Sequence, residues 1–206
     1  MELIKRVGIF LFDGIELMDF AGPYEVFTAA NLMAPQQYFD VFTVSEQKGD
    51  VLTSNGLTVK ADYGFSDCPQ ADVLVIPGGD VRPELLSNDT ILEWIESQNR
   101  NTEITFSVCN GAMLLAKAGL LKGLSVTTHH YCYDKLSEID LTINVVPKIR
   151  YVDTGKIITS AGISAGIDAA LHIVLRLFGE KVVLHAIDIM EYESTAYRNN
   201  GSITYK

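Results

Sequence analysis

The 206-residue chain is poor in cysteine: it has three, Cys68, Cys109 and Cys132, and no C-x-x-C pair. An odd, sparse set argues against a disulfide framework and for a reducing compartment. Positive charge is also short, with 16 Lys and Arg against 26 Asp and Glu and a net charge of −10. Such a chain repels phosphate backbones, and no basic stripe interrupts it, so nucleic-acid binding is not its expected role. Long apolar runs are missing. Residues 7–12 are apolar, but the run ends at Asp13 with no A-x-A site after it, so it reads as a strand and not a signal peptide. Nothing approaches the ~20 apolar residues of a membrane span. Internal repeats and linkers are also lacking. A soluble, cytoplasmic protein with one domain over residues 1–206 is expected.

What is present is a globular composition, 48% hydrophobic and 20% charged. A chain of this length buries roughly 70% of its unfolded surface. Strand-like and helix-like segments alternate, which predicts an α/β layer fold with a largely parallel sheet. Strands are expected at 6–12, 38–44, 72–76, 104–108 and 126–128. Hairpins are expected at 51–60, around Asn55-Gly56, and at 148–160, around Thr154-Gly155. Helices are expected at 24–33, with Pro23 just at its start, and at 91–98, 110–118, 164–178 and 181–191. Residues 197–206 read as a frayed tail or an arm.

The segment 104–112 passes from strand to helix with almost no loop. Ser107 and Gly111 flank Cys109 two residues to either side. Small neighbours permit the sharp turn of a nucleophile elbow. A cysteine there meets the positive end of the following helix, which predicts a thiol pKa below the ordinary ~8.5. The alternative is that Cys109 is a small buried hydrophobe; for Cys68 and Cys132 that reading prevails.

Sites in parallel sheets form at the carboxyl ends of strands. The first strand leads there to Asp19, a lone acid in an apolar run, whose desolvation would raise its pKa and suit it to proton transfer. Alone, it also reads as a turn or cap residue. Pro77-Gly78-Gly79 reaches the same rim, where the amides of Gly78 and Gly79 would form an oxyanion hole or a plain tight turn. His129 and His130 follow another strand end, and His129 is a candidate base or hydrogen-bond partner. Combining them with Cys132 leaves no ligand pair at zinc spacing, so no metal is expected. His172 and His185 lie inside helices and read as packed or surface residues.

Met18-Asp19-Phe20-Ala21-Gly22-Pro23, Val75-Ile76-Pro77-Gly78-Gly79, Ser107-Val108-Cys109-Asn110-Gly111-Ala112, Ala118-Gly119-Leu120-Leu121, Thr127-Thr128-His129 and Ile158-Thr159-Ser160-Ala161-Gly162 occur in this order. Together, and over nearly the whole chain, they resemble the ThiJ/PfpI superfamily. The resemblance implies a flavodoxin-like three-layer sandwich of the class I glutamine amidotransferase type, a nucleophilic Cys109 and a homodimer. The Asp-x-x-Gly-Pro after the first strand is most similar to the isocyanide hydratase branch and to the sensor domains of AraC-type regulators. It implies that Asp19 pairs with the nucleophile. The residue after the cysteine departs from both the threonine common in isocyanide hydratases and the histidine of PfpI-type proteases; here it is Asn110, expected to position substrate or water. The late His-x-Glu of glutamine amidotransferases is missing after both His172 and His185. The regulators' DNA-binding domain is not expected in a chain that stops at Lys206.

The implied activity is cofactor-free hydration of a small isonitrile to an N-substituted formamide, a lyase reaction. The alternatives are glyoxalase- or deglycase-type action on a reactive carbonyl, and a non-enzymatic redox or stress sensor whose Cys109 oxidises readily.

Overall fold

Residues 7–10 are wholly enclosed, as a strand covered on both faces requires. The computed structural model describes residues 4–198. Its strands are β1 (Lys5–Phe10), β2 (Phe39–Ser45), β3 (Asp50–Leu52), β4 (Thr58–Lys60), β5 (Tyr63–Gly64), β6 (Val73–Ile76), β7 (Ile104–Ser107), β8 (Ser125–Val126), β9 (Asn144–Val145), β10 (Tyr151–Asp153) and β11 (Ile157–Ser160). Seven of them form one sheet in the order β10-β11-β7-β6-β1-β2-β5. All its pairings are parallel except β10 with β11. The helices are α1 (Leu17–Ala29), α2 (Pro83–Leu86), α3 (Asp89–Asn101), α4 (Ala112–Lys117), α5 (Tyr133–Ile139), α6 (Ala165–Phe178) and α7 (Glu180–Met190). Helices α1, α6 and α7 pack on one another, as do α2 and α3 with α4, and α4 with α5. The result is the expected flavodoxin-like three-layer sandwich.

Both hairpins form: β3 pairs with β4 and β10 with β11, antiparallel, with Gly56 and Gly155 at positive φ in the turns. The core is aromatic near β1. Phe10 is fully buried among the rings of Phe12, Phe65 and Trp94, with centroids 5.6–5.8 Å away. A large apolar side chain so buried contributes about 1.5–3 kcal/mol.

Three expectations need correction. The first helix starts at Leu17, so Pro23 lies inside it and not at its start. Packing overrides the local signal: a Cβ on Gly22 would stand 3.0 Å from Ile167, and one on Gly166 would stand 3.6 Å from Pro23. The Gly-Pro pair is thus the close contact of α1 with α6, and that contact offsets the hydrogen bond Pro23 cannot make. The last strand of the 126–128 region ends at Val126; Thr127 and Thr128 continue as buried extended chain. In the supposed tail, Tyr197 is buried and its carbonyl accepts from the Tyr151 hydroxyl at 2.8 Å; residues 199–206 lie outside the described residues. Helix α5 and strand β9 occupy a stretch for which the sequence suggested no element.

Candidate active site

Cys109 stands where β7 turns into α4. Its φ is +57°, a left-handed conformation that costs a non-glycine residue of order 1–3 kcal/mol and persists only where surroundings enforce it. Three bonds enforce it here. The Val108 N–H donates to the Ile76 carbonyl (3.1 Å), the Cys109 N–H to the Ala161 carbonyl (3.2 Å), and the Thr128 hydroxyl to the Cys109 carbonyl (2.7 Å). A Cβ on Gly111 would overlap the Ile76 carbonyl oxygen, so only glycine permits the turn to lie this close to β6. The side chain is 9% exposed.

Asp19 reaches Cys109 because two loops are zipped together. The Glu16 N–H donates to the Gly78 carbonyl (2.9 Å) and the Asp80 N–H to the Gly14 carbonyl (2.8 Å). Asp19 sits in the first turn of α1, fully buried, with Oδ2 accepting from the Gly78 N–H at 3.0 Å. Burial, helped by the charge of Glu16, raises its pKa to about 7; the Gly78 N–H and the nearby Cys109 thiol and Ile163 N–H work in the opposite direction.

The thiol does not follow the expectation from the helix amides. Burial first, then the Asp19 carboxylate, pushes it up, and the Asn110 N–H only partly opposes this. The helix that follows is six residues long and is preceded by a 3-10 turn over Cys109–Gly111; desolvation outweighs its field. Near pH 7 the thiol therefore keeps its proton, while Asp19 stands between its charged and neutral forms.

The two glycine amides expected to hold an anion are both engaged inside the chain. That of Gly78 serves Asp19, and that of Gly79 donates to Asn110 Oδ1 at 2.8 Å. The Asn110 side-chain amide donates back to the Gly79 carbonyl at 2.9 Å. Asn110 thus clamps the Pro77-Gly78-Gly79 turn. The backbone donor that faces the sulfur is the Asn110 N–H. A Cβ on Gly78 would overlap Asn110 Oδ1 and stand 2.9 Å from Asp19 Oδ2, so this glycine is what lets the acid, the turn and the elbow meet.

His129 flanks the site. Its ring lies against Gly162, where a Cβ would overlap it, and its Nδ1 accepts from the Tyr131 N–H at 3.3 Å. Burial and then neighbouring His130 lower its pKa, so the ring is neutral near pH 7. The pair Cys109–Asp19 is not among the groups that shift it. The site residues that sequence reasoning passed over are Thr128, whose hydroxyl fixes the elbow, and Ile163, with φ +54°, whose amide lies near enough to Asp19 to lower its pKa. Nothing local marks Ile163, because a β-branched residue is a poor candidate for positive φ. Cys132 is half-buried and close enough to Cys109 to raise it further. Among the described residues no three His, Cys, Asp or Glu side chains converge as a metal site, and no helix is long and apolar enough to cross a membrane. A cavity of about 630 Å³ opens near the carboxyl ends of β1 and β2, lined by residues that include neither Cys109 nor Asp19.

A cysteine on a strained elbow between a parallel strand and a helix, paired with a buried acid from the first crossover, defines the class of the site. The chain belongs to the DJ-1/PfpI family, whose model matches residues 5–176. It is 35% identical over 175 residues to an isonitrile hydratase of Pseudomonas putida, covering 84% of this chain and 72% of that protein. It is 25% identical over 189 residues to the HTH-type transcriptional regulator GbdR of Pseudomonas aeruginosa, spanning 92% of this chain but about half, 51%, of the regulator. A crystal structure of a ThiJ/PfpI family protein from Pseudomonas syringae superposes with a TM-score of 0.83 at 27% identity, over 94% of this chain and 77% of that one.

Proposed function

We propose that residues 1–206 act as one cofactor-free unit that hydrates a small isonitrile to an N-substituted formamide. The observation that carries this reading is the closeness of Cys109 to a fully buried Asp19 whose pKa is raised to about 7, near the value best suited to moving a proton at neutral pH. The likeness to an isonitrile hydratase supports the substrate class.

In this mechanism the Cys109 sulfur bonds to the terminal isonitrile carbon, and the proton held by the pair goes to that carbon from Asp19. The product of this step is a thioimidate. Asp19, now a carboxylate, takes a proton from water as the water oxygen adds to the same carbon. Collapse breaks the carbon–sulfur bond, the nitrogen gains a proton, and the formamide leaves with the shared proton restored. The Asn110 N–H stabilises charge on sulfur; Gly78, Gly79 and the Asn110 side chain hold the turn that positions Asp19. His129 borders the site as an accessory group.

The protein acts on a small molecule, not on nucleic acid, as its net charge of −10 supports. Its three free cysteines support a cytoplasmic setting. A homodimer fits the exposed apolar side chains Met18, Leu52 and Leu57, which lie on the start of α1 and on the hairpin that bonds to it through Ser54 and Asn55. Sedimentation at micromolar concentration tests this; a single species near 22.7 kDa counts against it. The activity is tested by incubating purified protein with an alkyl isonitrile, with Cys109→Ala as control and a 2-oxoaldehyde in a parallel arm. Formamide well above the control is expected. Its absence, or turnover of the aldehyde alone, overturns the reading.

A further inference from the structure

Residues 161–164 touch both members of the pair: the Ala161 carbonyl accepts from the Cys109 N–H at 3.2 Å, and the Ile163 N–H lies near enough to Asp19 to favour its charged form. What holds this turn in place lies outside the site. We infer that Arg150 and Asp168 are positioning residues for the Cys109–Asp19 pair, a partly buried ion pair that clamps the 161–164 turn from both ends. The inference rests on the reading of Cys109 and Asp19 as the reacting pair.

The clamp is built from one residue's backbone and side chain. The Arg150 carbonyl accepts from the Ala161 N–H at 2.8 Å, at the start of the turn. Its Nη1 donates to the Ser164 hydroxyl at 3.2 Å, at the turn's end, and its Nε donates to Asp168 Oδ2 at 2.7 Å. Asp168 is itself fixed. Its side chain is 1% exposed, and its Oδ1 accepts from the Ser194 hydroxyl at 2.6 Å and the Tyr192 hydroxyl at 3.3 Å. Both carboxylate oxygens are thus taken, and Asp168 is a post on α6 that cannot swing.

The chemistry of arginine explains its presence. The planar guanidinium presents donors in a rigid fork, so one edge can serve Asp168 while another reaches Ser164. A lysine ammonium, a point charge on a flexible stem, can satisfy the carboxylate but does not hold the hydroxyl in the same plane. Residues 192–194 complete the arrangement, so a stretch far from the elbow in sequence fixes the turn that the elbow leans on.

The test uses two variants that keep the buried charges balanced, Arg150→Lys and Ser164→Ala, in the full-length protein. Two quantities are read: the rate of Cys109 alkylation by iodoacetamide against pH, followed by mass spectrometry, and kcat and KM for an alkyl isonitrile. Besides burial, the groups that set the charge of Asp19 are Glu16, the Cys109 thiol, and the N–H groups of Gly78 and Ile163; of these the variants act first on Ile163, which lies inside the turn. Loosening it takes a nearby donor away from the carboxylate, so the limb of the alkylation profile that reports Asp19 should move to higher pH, in Arg150→Lys more than in Ser164→Ala. For Arg150→Lys, kcat should fall roughly tenfold to a hundredfold, as misplaced catalytic groups do, with KM unmoved. A merely structural role would lower stability and leave the profile where it is. Folded variants with an alkylation profile superimposable on wild type overturn the assignment. The alkylation profile needs no isonitrile, so it decides on the clamp even if the wild-type protein hydrates none.

Discussion

Asp19 and Asp168 are buried to the same degree, 0% and 1% exposed, yet their surroundings are opposite. Asp168 has an arginine on one oxygen and two hydroxyls on the other. Asp19 has the Gly78 N–H on Oδ2, while Oδ1 has no partner in good hydrogen-bond geometry; the Cys109 thiol and the Ile163 N–H lie near enough to act on the carboxyl. A buried carboxylate whose two oxygens are both bonded is held in place and serves as scaffold. One that is under-served is pushed toward its neutral form and becomes able to exchange a proton. Asp153 extends the contrast. Burial works to raise its pKa, but bonds from His172 and the Gly155 N–H and the charges of Arg176 and His172 outweigh burial and hold it below the ordinary value.

The sharpest way to break this comparison is Asp19→Asn. Under the proposed mechanism kcat should fall by roughly a hundred- to ten-thousand-fold, the usual loss when a general acid–base is removed. Circular dichroism should show the fold retained. Unchanged turnover in a folded variant would leave Cys109 acting alone or with His129.

The same variant should gain stability where the wild type loses it. A carboxyl whose folded pKa is about 7 and whose ordinary value is 3.8 favours folding fully only below 3.8. That contribution disappears as pH rises through 7, a change of about 4 kcal/mol from the size of the shift. Urea unfolding of Asp19→Asn against wild type should therefore show the variant's relative stability growing between pH 4 and pH 8. A constant difference would mean that Asp19 is not shifted.

Asp168→Ala should cost about 1–3 kcal/mol in urea unfolding, because the guanidinium of Arg150 and the hydroxyls of Tyr192 and Ser194 lose their shared acceptor. A loss below 1 kcal/mol would mean that the pair is solvated. Asp153 should behave in the opposite sense to Asp19. Its depressed pKa contributes stability above the ordinary carboxylate range, which is lost as pH falls through its folded value. Asp153→Asn should thus flatten the acid limb of the stability curve and leave the limb around pH 7 to Asp19. The smallest effect is expected from Thr128→Val, which removes one neutral hydrogen bond to the Cys109 carbonyl. It should cost about 1 kcal/mol of stability.

Much of the architecture could be read locally. The apolar run of β1, the Asn55-Gly56 and Thr154-Gly155 turns and the amphipathic α6 and α7 are stretches in which neighbouring residues carry the signal. The elbow is legible for the same reason: Ser107, Cys109 and Gly111 lie within five residues. Pro23 misled because a proline normally marks a helix start, and only the facing surface of α6 explains why α1 continues through it. The stretch that forms α5 and β9 was missed because its elements are short, seven and two residues, too short for a periodic pattern to stand out.

The sequence by itself determined a parallel α/β sandwich with a cysteine at a strand-to-helix turn and an acid near the first strand's end, since periodicity and turn chemistry act over a few residues. Tertiary structure alone decided the rest. Asp19 meets the Gly78 amide across 59 residues of chain, and Gly79 meets Asn110 across 31, so no local pattern could say that those amides were already occupied. The direction of the Cys109 thiol was decided in the same way: a helix end is visible in sequence, whereas the desolvation that outweighs it comes from elements brought together only by the fold.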